Sequence, residues 1–557
     1  MLLYSLLICG FCVFYSSAIY NNNPGPKYPP TKGEVWPKPQ YQKLERYYFT
    51  VNTSAFKIKA TNHTCPILAK AIERYSFIMR NTFNLDLNRK PKTSRHRLPR
   101  ETNSEDPYYQ GLLKELDIEL ISPCEEYPYF NMDESYELTI STTAKLLSSS
   151  IWGILRGLES WSHLLYLTDD KDGVSIDICV NRTHIADFPR YAHRGLLLDT
   201  GRHFISMSNI LKTLDAMAMN KLNVFHWHIV DDQSFPYQSE KFPDLSGKGA
   251  FDPSLVYTKD DIARVVQYAT ERGIRVLPEF DVPGHTRSWG EAFPNVLTEC
   301  FSDGKVVGVG PMNPTVNTTY KLFQELMEEV QEWFPDKYFH IGGDEVQFDC
   351  WESNPDLQQY MKDHHMTATQ LHALFMKNVI PLLGNNTKPI VWQEVFDVGV
   401  PLSSDTIIHV WKNGWVEEMV KILKAGHRLI FSASWYLDHL KTGGDWEDMY
   451  MADPRLMVNL VDDTAPLDNI VGGEACMWGE VVDDTNVINR VWPRTSAAAE
   501  RLWSAGLASN SLERNVRLSI LDKARHRIEE HACRMRRRAI NAQPPNGPGF
   551  CVGAKLF

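Results

Sequence analysis

The sequence predicts an α/β protein in which a (β/α)8 TIM barrel is preceded by a smaller α+β domain. The first observation is length, because 557 residues are too many for one ordinary hydrophobic core. The second is a change of pattern at Arg194, after which short apolar runs alternate with helical stretches over about 360 residues. A hydrophobic content of 43% and a charged content of 23% fit a soluble globular protein.

The amino-terminal segment predicts entry into the secretory pathway. Residues 1–18 are apolar and end in Ser16-Ser17-Ala18, which is typical of a signal peptide with small residues near its cleavage site. The usual Lys or Arg is missing, so an uncleaved anchor is the alternative, although the run is short for a membrane span. No other stretch is long and apolar enough to cross a bilayer. We expect a lysosomal or extracellular protein.

Cysteines and glycosylation sequons fit that route. Of 10 cysteines, Cys9 and Cys12 leave with the signal peptide and eight remain, several of which should pair in an oxidising compartment. Their spacing does not give the connectivity. Five N-x-[ST] sequons are candidate glycosylation sites, namely Asn52, Asn62, Asn181, Asn317 and Asn385.

Charge and aromatic content narrow the function classes. A net charge of -11 and a pI near 5.9 argue against a nucleic-acid partner, which would call for a basic face. The chain holds 15 Trp, 23 Tyr and 25 Phe, which suit a large core and also suit sugar-binding clefts. Abundance alone does not separate these two uses.

Residues 19–190 predict the smaller α+β domain. Strand-like runs at residues 47–51 and 136–141 are followed by helical spacing of apolar residues over residues 148–167. Residues 89–106 are basic and polar with almost no apolar side chains, which indicates a solvated, protease-exposed loop.

Residues 191–557 predict the barrel domain. The eight apolar runs are Gly195–Asp199, Val224–Val230, Val276–Asp281, Phe339–Asp344, Ile390–Val395, Ile407–Trp411, Leu429–Ser432 and Ile470–Cys476, with helix candidates between them at Ile210–Met219, Lys259–Arg272 and Thr319–Phe334. A barrel of this type places its active site at the carboxyl ends of its strands.

Polar and aromatic residues lie in or just after every run. They include Arg202, His203, His226, His228, Asp231, Asp232, Glu279, Asp281, His285, Asp344, Glu345, Trp392, Gln393, Glu394, Trp411, Trp435, Tyr436, Asp438, Trp478 and Glu480. Any single one has an ordinary structural explanation, such as a core aromatic or a hydrogen-bonded interior histidine. Their presence at eight strand ends out of eight is hard to explain by packing alone.

The most informative motif is His340-Ile341-Gly342-Gly343-Asp344-Glu345. Buried charge must be paired or used, and the two glycines allow the backbone break that lets neighbouring carboxylates share one pocket. Glycoside hydrolysis needs a proton donor at the leaving oxygen and a negative group near an oxocarbenium-like centre. One carboxylate charge raises the pKa of the other, so Glu345, with the longer reach, is the expected acid and Asp344 the stabiliser.

With these motifs in place, the chain resembles the β-N-acetylhexosaminidases of glycoside hydrolase family 20, most closely the lysosomal and insect types. The resemblance is carried by Leu198–Phe204, Phe225–Asp232, Pro283–Thr286, His340–Val346, Val391–Glu394 and Gly472–Glu480, which together span residues 191 to about 504. It implies an exo-acting hydrolase that removes terminal β-linked GlcNAc or GalNAc and needs no cofactor or metal.

The family is a substrate-assisted exception to the scheme with two protein carboxylates. The resemblance implies that the substrate's own acetamide attacks the anomeric carbon, with Glu345 as acid, Asp344 on the acetamido nitrogen and Tyr436 on its oxygen. Trp392, Trp411 and Trp478 would enclose the sugar. Arg202, Asp438 and Glu480 would hold its outer hydroxyls, and Asp231 and His285 would form a relay that tunes Glu345.

The resemblance also implies features outside the pocket. The disulfides should be Cys65–Cys124, Cys300–Cys350 and Cys533–Cys551, leaving Cys179 and Cys476 free, and a homodimer is expected. Members of the family mostly carry Ser where this chain has Gly201.

Two other functions compete with this interpretation. A metal-dependent hydrolase would use His226, His228, His285, His340 and Asp344 as ligands, but it leaves the tryptophans and Tyr436 unexplained. A catalytically inactive N-acetylhexosamine-binding protein would keep the barrel, although both acids are intact here. The natural substrate stays open among chitooligosaccharides, N-glycans and glycolipids, because the surrounding loops, such as residues 301–311 and 441–451, cannot be placed from sequence.

Overall fold

The computed structural model describes residues 31–82, 106–169, 176–439 and 444–548, together with residue 551. The predicted signal peptide at residues 1–18 lies outside these residues, as does the predicted loop at residues 89–106 apart from Asp106. Within the described part of the chain, no helix has the length and apolar character that a membrane span requires.

The first domain is a mixed eight-stranded sheet. Seven strands follow the order β2-β4-β6-β5-β8-β1-β3, and β7 pairs with β8. The strands are β1 (Tyr41–Val51), β2 (Lys57–Asn62), β3 (Tyr109–Leu113), β4 (Glu115–Leu120), β5 (Tyr136–Ile140), β6 (Ala144–Ser148), β7 (Tyr166–Asp169) and β8 (Ile176–Asp187). In β5 and β6 buried and more exposed residues alternate, as expected of a sheet with one face on a core.

Two helices accompany this sheet, α1 (Pro66–Thr82) and α2 (Ile151–Leu164). The side chain of Ser150 caps α2 by accepting the backbone N–H of Trp152 at 2.9 Å. Every residue of α2 is buried. Arg156 of α2 donates to the backbone oxygens of Arg272 and Gly273 at 3.0 and 2.7 Å, so α2 joins the sheet domain to the barrel.

The second domain is a closed barrel of eight parallel strands. The strands are β9 (His193–Asp199), β10 (Val224–His228), β11 (Arg275–Glu279), β14 (Tyr338–His340), β15 (Lys388–Trp392), β16 (Ile407–Val410), β17 (Arg428–Phe431) and β18 (Ile470–Met477). Each contains part of one predicted apolar run, so the predicted TIM barrel is confirmed. The fourth strand ends at His340, four residues earlier than the run predicts.

Helices surround the barrel and connect its strands. They are α3 (Met207–Met219), α4 (Pro243–Gly249), α5 (Lys259–Thr270), α6 (Arg287–Gly290), α7 (Asn317–Trp333), α8 (Phe348–Ser353), α9 (Pro355–Asp363), α10 (Ala368–Val379), α11 (Gln393–Asp397), α12 (Trp415–Lys424), α13 (Trp446–Met451), α14 (Pro454–Val461), α15 (Val487–Val491), α16 (Arg494–Trp503) and α17 (Arg514–Arg537). The three helix candidates from the sequence correspond to α3, α5 and α7, with two of the six ends matching and the others displaced by one to three residues.

The segment at residues 301–311, which could not be placed from sequence, belongs to a β-hairpin of β12 (Leu297–Ser302) and β13 (Lys305–Met312). A disulfide between Cys300 and Cys350 joins this hairpin to α8. Two further disulfides, Cys65–Cys124 and Cys533–Cys551, give the pairing that the resemblance implies. Cys179 and Cys476 are buried and form no disulfide with any cysteine in the described part of the chain.

Candidate active site

The candidate site is a cavity of about 210 Å³ at the carboxyl ends of the barrel strands. It is lined by Arg202, His228, Asp281, His285, Asp344, Glu345, Trp411, Tyr436, Asp438, His439, Trp478 and Glu480. A larger cleft of about 440 Å³ lies between the sheet domain and helices α5 and α7, away from the strand ends. The smaller cavity is the chemical candidate because acids, three histidines, an arginine and three aromatic rings (Trp411, Tyr436 and Trp478) converge on it.

The loop after β14 separates the environments of the two adjacent acids. Gly342 and Gly343 have φ angles of +66° and +100°, and Glu345 itself has a φ of +47°. The side chain of Asp344 is only 10% exposed, whereas that of Glu345 is 57% exposed. The backbone break inferred from the two glycines therefore places Asp344 at the bottom of the pocket and Glu345 towards its opening.

Asp281 supports this loop from below, a role that the sequence did not reveal. Its Oδ1 accepts the backbone N–H of Gly343 at 2.8 Å. An added Cβ on Gly342 would lie 1.6 Å from the same oxygen, so only glycine fits there. Burial, together with the neighbouring charge of Asp344, raises the pKa of Asp281 well above its usual value.

His285 lies between these carboxylates and Asp231. Its Nδ1 is 3.2 Å from Asp231 Oδ1, and its Nε2 is 3.7 Å from Asp344 Oδ2 and 3.6 Å from Glu345 Oε2. Burial alone would lower the pKa of His285, but the hydrogen bond to Asp231 and the charge of Asp344 raise it to about 9. The imidazolium is therefore the expected form in acidic and neutral solution, within reach of both acids.

Arg202 closes one side of the pocket. Its Nη1 lies 3.1 Å from Asp199 Oδ2 and 2.9 Å from Asp231 Oδ2, and its guanidinium lies 5.1 Å from the ring centre of Trp478. Burial opposes its charge, but the carboxylates of Asp199 and Asp231 raise the pKa of Arg202 further above its usual range.

Gly201, the residue before Arg202, packs so tightly that an added Cβ would lie 2.6 Å from the backbone nitrogen of Asp231. A serine at this position would require the two strand-end loops to move apart.

Aromatic rings form the other walls. Trp411 and Tyr436 stack with ring centres 6.0 Å apart and an interplanar angle of 19°, and Trp478 is 6.4 Å from Tyr436. Trp392, which the resemblance places around the sugar, does not line the cavity. It lies beneath these rings, 1% exposed, with its ring stacked on His409 at 4.2 Å.

Asp438 and Glu480 lie at the rim. Asp438 is half-buried, and its Oδ1 has no hydrogen-bond partner among the described residues. Burial raises its pKa. Glu480 is exposed and adds to the negative potential felt by Arg202. Both carboxylates are placed to accept hydrogen bonds from a polar ligand that enters the cavity.

Comparisons with known proteins identify the family. The family model described as "Glycosyl hydrolase family 20, catalytic domain" matches residues 191–506, which is more than half of the chain. The chain belongs to glycosyl hydrolase family 20. A second model, "beta-acetyl hexosaminidase like", matches residues 35–164. The resemblance found in the motifs is thereby confirmed, and this family 20 chain is a glycoside hydrolase, a β-N-acetylhexosaminidase.

Individual relatives are similar in sequence to this chain along most of its length. The family 20 chain is 41% identical over 532 residues to the α subunit of β-hexosaminidase from Rattus norvegicus, covering 93% of this chain and 94% of the relative. It is 42% identical over 521 residues to the β subunit from Felis catus, covering 92% of each. The X-ray structure of Flavobacterium johnsoniae chitobiase matches with a TM-score of 0.73 and 30% identity, over 91% of this chain and 74% of that one.

Histidines that suggested a metal site in the sequence face carboxylates in this family 20 enzyme. His226 Nδ1 is 2.7 Å from Glu474, His228 Nε2 is 2.6 Å from Asp231, and His340 Nδ1 is 2.9 Å from Glu279. A nitrogen that donates a proton to a carboxylate has no lone pair to offer a metal. The donor set therefore fits a hydrogen-bonded network better than a metal centre.

Proposed function

We propose that this pocket releases terminal, non-reducing β-linked N-acetylhexosamine by substrate-assisted, retaining catalysis. The observation that carries the proposal is Asp344. Its Oδ1 is buried and, apart from the proton that neighbouring Asp281 can share with this carboxylate, accepts no hydrogen bond from the described residues, while Glu345 reaches into the opening of the same pocket. An acetamido N–H would satisfy Asp344 at the pocket floor, and the glycosidic oxygen would then face Glu345.

The first step forms an oxazolinium. The acetamido oxygen attacks the anomeric carbon, the bond to the leaving oxygen breaks, and Glu345 gives that oxygen a proton. Asp344 accepts the acetamido N–H and balances the positive charge that develops, while the Tyr436 hydroxyl donates to the acetamido oxygen. Trp411 and Trp478 enclose the acetamido group, and Trp392 supports them from below.

The second step returns the free sugar. Water attacks the anomeric carbon, the bond to the acetamido oxygen breaks, and Glu345 takes the proton from water, so the anomeric configuration is retained overall. His285, held by Asp231, places positive charge beside Glu345 and Asp344 in both steps. Arg202, Asp438 and Glu480 bind the outer hydroxyls of the terminal sugar, which makes the enzyme exo-acting.

The test uses Glu345→Gln and Asp344→Asn, with the exposed Glu352→Gln on α8 as control. Glu345→Gln should lower kcat about 10²- to 10⁴-fold on an aryl glycoside with a poor leaving group, and much less on one with a good leaving group. Asp344→Asn should lower kcat strongly, and intact-protein mass spectrometry should detect no glycosyl-enzyme. A covalent adduct on Asp344, or equal losses for both leaving groups, contradicts the mechanism.

The catalytically inactive binding protein is the second function considered from the sequence. It predicts that the purified protein binds N-acetylglucosamine but releases no chromophore from an aryl N-acetyl-β-glucosaminide. Membership of a hydrolase family argues against it. The metal-dependent alternative predicts loss of activity with a strong chelator, whereas the substrate-assisted mechanism predicts none.

The proposed substrate class is defined by its terminal sugar. Chitooligosaccharides, N-glycan antennae and glycolipids all end in a β-linked N-acetylhexosamine, and the cavity binds that terminal sugar in each case. Gly310 and Pro311 at the end of β13 lie next to Glu345, so the β12–β13 hairpin borders the leaving group. Comparing kcat/KM for chitotriose with that for a biantennary N-glycan decides which class is preferred.

We also propose a homodimer in the secretory pathway, lysosomal or extracellular. The relatives from Rattus norvegicus and Felis catus are named as subunits of β-hexosaminidase, which supports an oligomer. Asn52, Asn62, Asn317 and Asn385 are exposed and suited to glycosylation, whereas the amide of Asn181 donates to the backbone oxygen of Glu45 at 2.8 Å. Light scattering of the protein before and after enzymatic deglycosylation tests the dimer, and glycopeptide mass spectrometry tests which of these asparagines are occupied.

A further inference from the structure

A continuous row of alternating carboxylates and imidazoles runs from the barrel core to the candidate active site. From inside to outside its members are Glu474, His226, Glu279, His228, Asp231 and His285, and we call it the charge ladder. The successive contacts measure 2.7 Å (Glu474 to His226), 2.9 Å (His226 to Glu279), 2.7 Å (Glu279 to His228), 2.6 Å (His228 to Asp231) and 3.2 Å (Asp231 to His285).

The ladder is balanced in charge although it is almost completely buried. Its first five members are at most 1% exposed. Burial opposes charge on His226 and His228, but the flanking carboxylates raise the pKa of His226 to about 9 and that of His228 to about 10. With His285 they supply three positive charges against three carboxylates. Buried charge is costly unless it is paired, and this alternation places an opposite charge beside every group, although the 2.9 Å contact between His226 Nε2 and Glu279 is an ion pair without hydrogen-bond geometry.

Neighbouring histidines outside the ladder do not disturb this balance. His193 contacts Glu474 at 2.5 Å and His340 contacts Glu279 at 2.9 Å, and burial lowers the pKa of both, which leaves both rings neutral. Burial also lowers the pKa of His409, which lies beside His340. Trp392 adds a neutral N–H to Glu279 at 2.9 Å.

Asp231 is the step at which the ladder reaches the catalytic groups. Its Oδ1 faces His285 and accepts the backbone N–H of Asp232 at 2.6 Å, while its Oδ2 is shared by His228 at 2.6 Å and Arg202 at 2.9 Å. Without His228, Oδ2 would keep only Arg202, which also pairs with Asp199. The carboxylate could then rotate away from the orientation that holds His285.

We propose that His228 is a positioning residue of the hydrolytic reaction, which fixes Asp231, and through it His285, by anchoring them to the buried charge ladder. The proposal rests on the role given above to His285 beside Glu345 and Asp344. His228 acts through Asp231, so its loss should lower kcat more than it raises KM.

Two substitutions of His228 distinguish its role in positioning Asp231 from a role in packing alone. In His228→Gln the amide nitrogen replaces Nε2 and can still donate to Asp231, whereas in His228→Asn it replaces Nδ1 and can donate only to Glu279. We expect His228→Asn to lower kcat about 10- to 100-fold and His228→Gln to lower it several-fold less, with KM changed less than about threefold in both. Equal losses of kcat in the two variants, or activity within about twofold of wild type in both, overturn the proposal.

His163→Gln is the matched control. His163 is likewise buried and its Nε2 lies 2.7 Å from a carboxylate, Glu159, but it belongs to α2 in the sheet domain. This variant should reduce the melting temperature as much as the His228 variants do while keeping wild-type kcat. Loss of kcat in the control would show that reduced stability, not position, explains the His228 result.

A measurement on the wild-type protein covers the case in which the His228 variants do not fold. In ¹⁵N-histidine-labelled enzyme at pH 7, NMR should show protonated rings for His226, His228 and His285. Exchange with solvent should be slow for the two fully buried rings, His226 and His228. Neutral rings at His226 and His228 would overturn the ladder. A wild-type enzyme without hydrolytic activity would instead refute the proposed function and leave the NMR result to stand by itself.

Discussion

The carboxylate of Asp281 accepts the backbone N–H of Gly343 at 2.8 Å, one residue before Asp344. One polar side-chain atom from each of Asp281, His285 and Asp344 lies within 4.8 Å of the other two. Because burial and the charge of Asp344 raise the pKa of Asp281 well above its usual value, Asp281 keeps its proton in mildly acidic solution. A neutral Asp281 can support the loop without adding a second negative charge to the pocket floor.

Asp281→Asn should therefore keep much of the activity near pH 5, because the amide resembles the protonated carboxyl in shape and polarity. As pH rises, wild-type Asp281 ionises next to Asp344, whereas the variant cannot, so its kcat/KM should hold to higher pH. The folded pKa is raised above the unfolded value of about 3.9, so the stability this group contributes is present below that value and lost as pH rises. Superimposable pH profiles of kcat/KM for wild type and Asp281→Asn would refute the role of a neutral Asp281. Asp281→Ala removes the support of the loop and should lose activity at every pH.

Gly342→Ala tests the loop itself. The new Cβ would lie 1.6 Å from Asp281 Oδ1 at a φ of +66°, so both overlap and backbone strain oppose it. We expect a loss of about 3 kcal/mol in the free energy of unfolding, together with a loss of activity. Gly384→Ala is the control, because its φ is +73° but nothing lies within 4 Å of the new Cβ. It should cost about 1 kcal/mol and leave kcat unchanged, and equal effects in the two variants would argue against the contact with Asp281.

The barrel could be predicted from the sequence because its strands are buried and therefore read as continuous apolar runs. The strand ends were harder to predict. The run Phe339–Asp344 continues through Ile341 and two glycines, yet regular strand β14 ends at His340. Ile341 and Gly342 still bond to β15, through Ile341 N–H to Ile390 O at 3.1 Å and Trp392 N–H to Gly342 O at 3.0 Å, but the backbone then changes direction because Gly342 and Gly343 take positive φ angles. Apolar character does not reveal that change of backbone direction.

The site residues were found as a set, but the sequence could not assign their depth. Trp392 was expected around the sugar and lies beneath the pocket, since its indole N–H is drawn to Glu279 at 2.9 Å in the barrel core. Glu279 and Asp281 were noticed only as strand-end acids. Their roles depend on contacts with residues far away in the chain, such as Gly343 and His228, and those distances exist only after the barrel closes.

Trp411 should act mainly through its ring. It stacks on Tyr436, and its indole N–H donates to Glu394 Oε2 at 3.0 Å. Trp411→Phe keeps a ring wall and loses the N–H, so KM for an aryl N-acetyl-β-glucosaminide should change less than about threefold. Trp411→Ala removes the wall and should raise KM about tenfold or more, which corresponds to an aromatic contact of roughly 1.5 kcal/mol. Similar KM values for the two variants would show that the hydrogen bond to Glu394, not the ring, matters.

His372 should limit stability in acid. It lies on α10, is 1% exposed, and neither ring nitrogen has a hydrogen-bond partner among the described residues. Burial, aided by the charge of Lys412 and opposed by that of Asp344, lowers the pKa of His372 to about 4. Between about pH 6.5 and pH 4 the unfolded chain binds a proton here that the folded chain does not, so stability rises with pH across that window. At pH 4 this proton uptake by the unfolded chain lowers the free energy of unfolding by about 3 kcal/mol.

Urea unfolding tests this role of His372. The His372→Leu variant should lose less stability than wild type from pH 7 to pH 4, with the exposed His364→Leu as control. Parallel pH dependences for wild type and His372→Leu would mean that this imidazole takes up its proton without unfolding.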